Sequence, residues 1–131
     1  SPLAEEALRQ AIELFDCRVT VLNVVTPIDG AMSEGGILQP GEDRRENARD
    51  RAERVVERVK GQAAGGDQTI ETVVEIGDPA EAILGYVDAH DVDRVVMGGH
   101  GGDRGEIARR LLGTVATSVV GEAPVTVTVV R

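Results

Sequence analysis

A chain of 131 residues with a formal net charge of −9 is sized for a single domain, 1–131, whose one core buries roughly two-thirds of the surface that the unfolded chain exposes. At 41% hydrophobic and 28% charged residues it is globular rather than disordered, and its 2% aromatics, Phe15 and Tyr86, leave little to stack on bases. The acidic excess argues against DNA and RNA, whose phosphates need clustered Lys and Arg, and no apolar run approaches the roughly 18 residues of a membrane span. A lone Cys17 forms no internal disulfide, and Ser1-Pro2-Leu3-Ala4-Glu5-Glu6 lacks the basic start of a signal peptide, so a cytoplasmic setting is expected. Cys17 itself reads as a small apolar filler at a strand edge.

The first element is a helix. Ser1 suits the cap, Pro2 the first helical position, and Glu5 and Glu6 the positive end of the dipole, while Leu3, Ala7, Leu8, Ala11, Ile12 and Phe15 recur on one face until Asp16 and Cys17 close it. Val19, Val21, Leu22, Val24 and Val25 then form a strand with so few polar positions that burial on both faces is expected. Residues 26–41, punctuated by Pro27, Gly30, Gly35, Gly36, Pro40 and Gly41, read as a long mobile loop. Ala48, Ala52, Val55, Val56 and Val59 give a second helix its apolar stripe, with a solvated charged face carrying pairs such as Asp50 with Arg54, and Gly61 to Asp67 break it.

Thr69 to Ile76 reads as the next strand. Gly77-Asp78-Pro79-Ala80-Glu81 starts a third helix, with Asp78 as cap, Pro79 first in the helix and Glu81 closing a capping box, and Ala80, Ile83, Leu84 and Val87 form its buried stripe. His90 falls at its end as a surface residue favoured by the dipole. Val95-Val96-Met97 is a short apolar strand that runs into Gly98-Gly99-His100-Gly101-Gly102. A fourth helix is predicted from about Glu106 to Gly121 with Gly113-Thr114 inside it, and Val125 to Val130 is a last strand whose Val/Thr alternation marks one exposed face or a sheet edge. Helices and strands alternating in this way require right-handed crossovers and an open parallel α/β sheet sandwiched by helices.

Ligands of such sheets sit beyond the carboxyl ends of the strands, where the glycine run after Met97 lies. Glycine there lets successive N–H groups form an anion nest, and Gly113-Thr114 adds a second small-residue site able to meet the same anion; a plain flexible turn is the competing explanation. Two nucleotide motifs fail on spelling. GxxxxGK[ST] is absent because Lys60, the one lysine, has no preceding glycine loop, and Arg104 stands where GxGxxG needs its third glycine.

Val95-Val96-Met97-Gly98-Gly99-His100-Gly101, Leu111-Leu112-Gly113-Thr114-Val115-Ala116, Ala123-Pro124-Val125, Gly77-Asp78-Pro79 and Asp93 together resemble the universal stress protein family, in the same order and over nearly the whole chain. The resemblance implies a five-stranded parallel sheet of order 3-2-1-4-5, a homodimer through the last strand, Val125 to Val130, and, in one subgroup, ATP with or without Mg²⁺ or Mn²⁺. It further implies that Gly98, His100 and Gly101 line ribose and phosphates, that Gly113, Thr114 and Val115 hold phosphates, and that Val25 and Met97 border adenine; core packing is the other reading of Val25 and Met97. The chain departs from the family pattern in three ways. Eleven residues, 102–112, separate Gly101 from Gly113 where the pattern has nine, a two-residue insertion. Gly102, followed by Asp103, stands where a basic residue is usual, with Arg104 able to take that role in a shifted register. The family's first strand, with the acidic residue that grips adenine, would lie ahead of Ser1; its absence should leave strand edges exposed beside it.

The expected function is an adenine-nucleotide-binding stress protein that acts through dimer or partner contacts, and the alternative is an interaction module of the same fold that binds no ATP. An enzyme is not expected, since His90, His100 and scattered acids offer no paired base and nucleophile.

Overall fold

Helices and strands alternate along the chain in the computed structural model, which describes residues 2–27, 41–62, 68–101 and 111–131. The order is α1 (Pro2–Leu14), β1 (Val19–Val25), α2 (Gly41–Gln62), β2 (Ile70–Ile76), α3 (Pro79–Ala89), β3 (Arg94–Gly98), α4 (Thr114–Glu122) and β4 (Thr126–Val130). The predicted cap Ser1 and most of the predicted 26–41 loop lie outside the described residues.

All described strand pairs are parallel, as the alternation of helices and strands requires, but they form two sheets of two strands rather than one of five. β1 pairs with β2 from Val19↔Ile70 to Val25↔Ile76, and β3 pairs with β4 from Arg94↔Thr126 to Gly98↔Val130. Among the described residues β1 and β3 each keep one unpaired edge. β1, expected to be buried on both faces, is half-buried along its whole length.

The principal core lies under the first sheet. Leu8 and Ile12 of α1 meet Val56 and Val59 of α2, and Val19, Val21, Val55 and Ile70 pack around them. The helical spacing of these residues creates the contact, since positions three or four apart share one helix face. On its other flank α1 packs against β3 and β4, and α3 packs against β1 and α4.

Several boundaries differ from the expectation. α1 stops at Leu14, where Gln68 Nε2 donates to the carbonyls of Ile12 (2.7 Å) and Phe15 (2.6 Å) and thereby satisfies its last turn. Cys17 is exposed rather than a strand-edge filler. α2 runs through Gly61 to Gln62, because a glycine with open space around it merely weakens a helix end. Asp50 and Arg54 are exposed and form no ion pair, which accords with the small worth of such pairs in water. α4 begins only at Thr114, with Gly113 as its extended cap (φ −68°, ψ 169°), so Gly113 precedes the helix instead of lying within it.

The start of α3 follows the predicted cap, although among the described residues no bond from the Glu81 side chain to the Asp78 N–H closes the capping box. Gly77 (φ 156°) makes the turn in a region that favours glycine, the N–H of Glu81 donates to Asp78 Oδ2 at 3.0 Å, and Pro79 follows the cap. At the far end His90 caps the helix, exposed and stacked on Tyr86 with ring centroids 3.9 Å apart.

α1 and α2 are clamped at the surface by Arg58, which donates to both carboxylate oxygens of Glu5 at 3.0 and 2.8 Å, while Arg9 bonds Glu6 and Gln62. The Arg58 guanidinium holds the Glu5 carboxyl below its ordinary value of 4.5. The unfolded chain therefore takes up this proton first. The stabilisation from the pair is present above the unfolded value and is lost as pH falls through the lower folded one. Glu5→Gln is expected to flatten the acid limb of stability as pH falls below the ordinary Glu value of 4.5 in urea titrations; an unchanged slope would remove Glu5 from the account.

Candidate functional site

β3 ends at Gly98, and the chain is then held by two backbone bonds. Gly99 N–H donates to Val130 O at 2.7 Å, which carries the β3–β4 ladder past the strand end, and Gly99 O accepts the N–H of Gly113 at 2.6 Å. The glycine run is thereby tied to the start of α4. A Cβ at Gly113 would stand 3.3 Å from Gly99 O and 3.4 Å from His100 Cα, so the approach favours glycine on the α4 side.

The first α4 bond between turns runs from Thr117 N–H to Gly113 O, and no side chain caps the helix. The amides of Thr114 and Val115 therefore have no partner within the helix and lie at its positive end, beside His100. Nδ1 of His100 is buried without a hydrogen-bond partner among the described residues. An orphaned ring nitrogen, a cradle that a Cβ would fill and free helix amides suit an anionic or polar ligand. Thr114 is exposed and Val115 half-buried; Gly101 is exposed and open, with nothing near the position of a Cβ.

Other predicted residues stand apart from this cluster. Gly98 faces α1, where a Cβ would lie 2.8 Å from Leu3 Cβ, so this glycine is required by helix packing. Met97 pairs with Val129 in one sheet and Val25 with Ile76 in the other, both half-buried. Gly102, Asp103, Arg104 and most of the 102–112 insertion segment lie outside the described residues.

Gly99 was absent from the predicted set, although it makes both bonds that organise the loop. Its signal was the second glycine directly after a core strand, where backbone rather than side chain does the holding. Arg44, which donates to Thr26 O just past β1, has no sequence signature at all. No group of three His, Cys, Asp or Glu able to hold a metal ion occurs among the described residues, and no described helix is long and apolar enough to cross a membrane.

The universal stress protein family model matches residues 1–131. No curated protein matches the chain. Among solved structures, universal stress protein UspA from Lactobacillus plantarum is similar at 22% identity, with a TM-score of 0.71 over 100% of this chain and 91% of that one. A universal stress protein from Archaeoglobus fulgidus is similar at 21% identity, with a TM-score of 0.71 over the same shares. A universal stress protein in complex with cAMP is similar at 19% identity, with a TM-score of 0.61 over 99% of this chain and 87% of that one. These structures share the fold, and the family match spans every element described above: the chain belongs to the universal stress protein family.

Proposed function

We propose that this chain binds an adenine nucleotide, ATP, at the glycine run after β3 and the start of α4, and that occupancy of the site is read out in a stress response through contacts with a second copy or a partner. The observation that carries the reading is the bond from Gly113 N–H to Gly99 O, beside α4 amides and a His100 Nδ1 that have no partner among the described residues. The structure solved with cAMP supports an adenine nucleotide as the ligand class. Gly101, Gly113, Thr114 and Val115 would face phosphates, His100 the ribose or phosphates, and Met97 and Val25 the base. Any Mg²⁺ or Mn²⁺ would arrive bound to the phosphates, since the described residues form no metal site of their own. The role is binding rather than catalysis, and the edge of β4, paired only with β3 among the described strands, is the homodimer contact in this reading.

Calorimetric titration of ATP, with and without Mg²⁺ or Mn²⁺, tests it. Wild type is expected to bind, and Thr114→Val, which removes one hydroxyl, to bind roughly tenfold more weakly. Gly113→Val, whose side chain would enter the Gly99–His100 cradle, is expected to abolish binding. Absence of heat from wild type at millimolar ATP would leave the interaction module without a nucleotide as the function.

A further inference from the structure

We propose that the outer edge of β2 accepts an extended, basic segment of a partner protein, which adds to the sheet as a further strand. The edge is open and regular. β2 pairs with β1 through seven consecutive partners with no bulge, and no described strand lies on its other side. The flanking bonds, Val19 N–H to Thr69 O and Gly77 N–H to Val25 O, fix the alternation: odd-numbered residues of β2 bond to β1, and Ile70, Thr72, Val74 and Ile76 direct their N–H and C=O outward. Val74 is 7% exposed, its side chain packed in the sheet, and no described residue pairs with its outward N–H and C=O. Natural edges are usually blunted by Pro, Lys or a bulge, and Ile70–Ile76 has none of these.

Grooves flank this edge on both faces. On the α2 side a groove of about 400 Å³ has Val56 and Ile70 in its wall and Glu53, Glu57 and Glu71 with Arg49 at its rim. On the α3 side a groove of about 390 Å³ runs past Ala82 and Gly85, with Glu75, Asp78 and Glu81 around it and His90 at its end. Neither groove borders the glycine run. An added strand would send alternate side chains into the two grooves, and on both faces they would meet carboxylates that outnumber the cations. The complement is a segment carrying Arg or Lys on both faces. A second β2 edge is the wrong partner, because antiparallel pairing would set Glu71 and Glu75 of one copy against those of the other.

The test uses the whole chain and a fluorescent peptide of repeated Arg-Arg-Val-Val, which as a strand carries arginine on both faces, read by anisotropy at low and physiological salt. A twin of that peptide carries N-methyl groups on alternate amides, which keeps the charge and removes the donors. The unmodified peptide is expected to bind, more weakly as salt rises, and the N-methylated twin to lose roughly tenfold or more. Thr72→Pro removes one outward donor without touching the β1 ladder and is expected to weaken binding about tenfold. Glu71→Lys, on an exposed side chain, does so through charge alone and serves if the proline variant fails to fold. Equal binding of both peptides, or binding indifferent to Glu71→Lys, would overturn the proposal. So would a dimer of the free chain that Thr72→Pro dissolves, because a second copy would then hold the edge.

Discussion

Ile12→Ala is expected to lower the free energy of unfolding by about 3 kcal/mol. Ile12 is 3% exposed, at the point where α1 meets Val56 and Val59 of α2 and the β1 and β2 side chains Val19 and Ile70. Truncation loses the transfer free energy of the deleted methyl and methylene groups and leaves a cavity between α1 and α2. Leu14, two residues on but 66% exposed, provides the comparison: Leu14→Ala should change stability by no more than about 0.5 kcal/mol. Urea denaturation of the two variants decides the matter, and a cost below about 1 kcal/mol for Ile12→Ala would mean that the α1–α2 contact is not the principal core.

Gly98→Ala is expected to cost about 2 kcal/mol, a large penalty for one added methyl group. The new Cβ would sit 2.8 Å from Leu3 Cβ, 3.2 Å from the Leu3 carbonyl carbon and 3.4 Å from Ala4 N. None of these is the far end of a flexible side chain. The helix itself must retreat from β3, and it packs against β4, β1 and α2 as well. Gly85→Ala gives the opposite sign: this glycine lies inside α3 with nothing near the position of a Cβ, so alanine should stabilise by about 0.5 kcal/mol through the unfolded chain. Thermal or urea melts of the pair should diverge; a neutral Gly98→Ala would show that α1 does not press on the end of β3.

Most elements were legible in the sequence because each carries its own period or punctuation. The α3 start is the clearest case, since Gly77, Asp78, Pro79 and Glu81 act locally and need no tertiary partner. The end of α1 was less legible: Gln68, far along the chain, supplies the hydrogen bonds that close it. The α4 boundary was misplaced because Leu111, Leu112 and Val115 continue an apolar run across Gly113, whose role as a cap depends on its bond to Gly99. Division into two sheets was not legible from spacing along any one strand, because pairing in a parallel sheet is fixed by contacts between strands; only the resemblance, whose order 3-2-1-4-5 sets a further strand between the two pairs, pointed to it. At the site, the motif glycines were visible as letters, but spelling does not distinguish Gly98, fitted to a helix, from Gly113, fitted to a loop.

With β1–β2 and β3–β4 sharing no ladder among the described residues, the two sheets are joined through helices: α1, which touches strands of both, and α3, which spans from β1 to α4. Cooperativity between the halves of the molecule therefore passes through side-chain packing rather than through a continuous run of backbone hydrogen bonds. Loosening α1 should let the halves open as separate units, each with its own amide-exchange rate, so that the glycine run and the β2 edge come to sit on independently unfolding pieces of one chain.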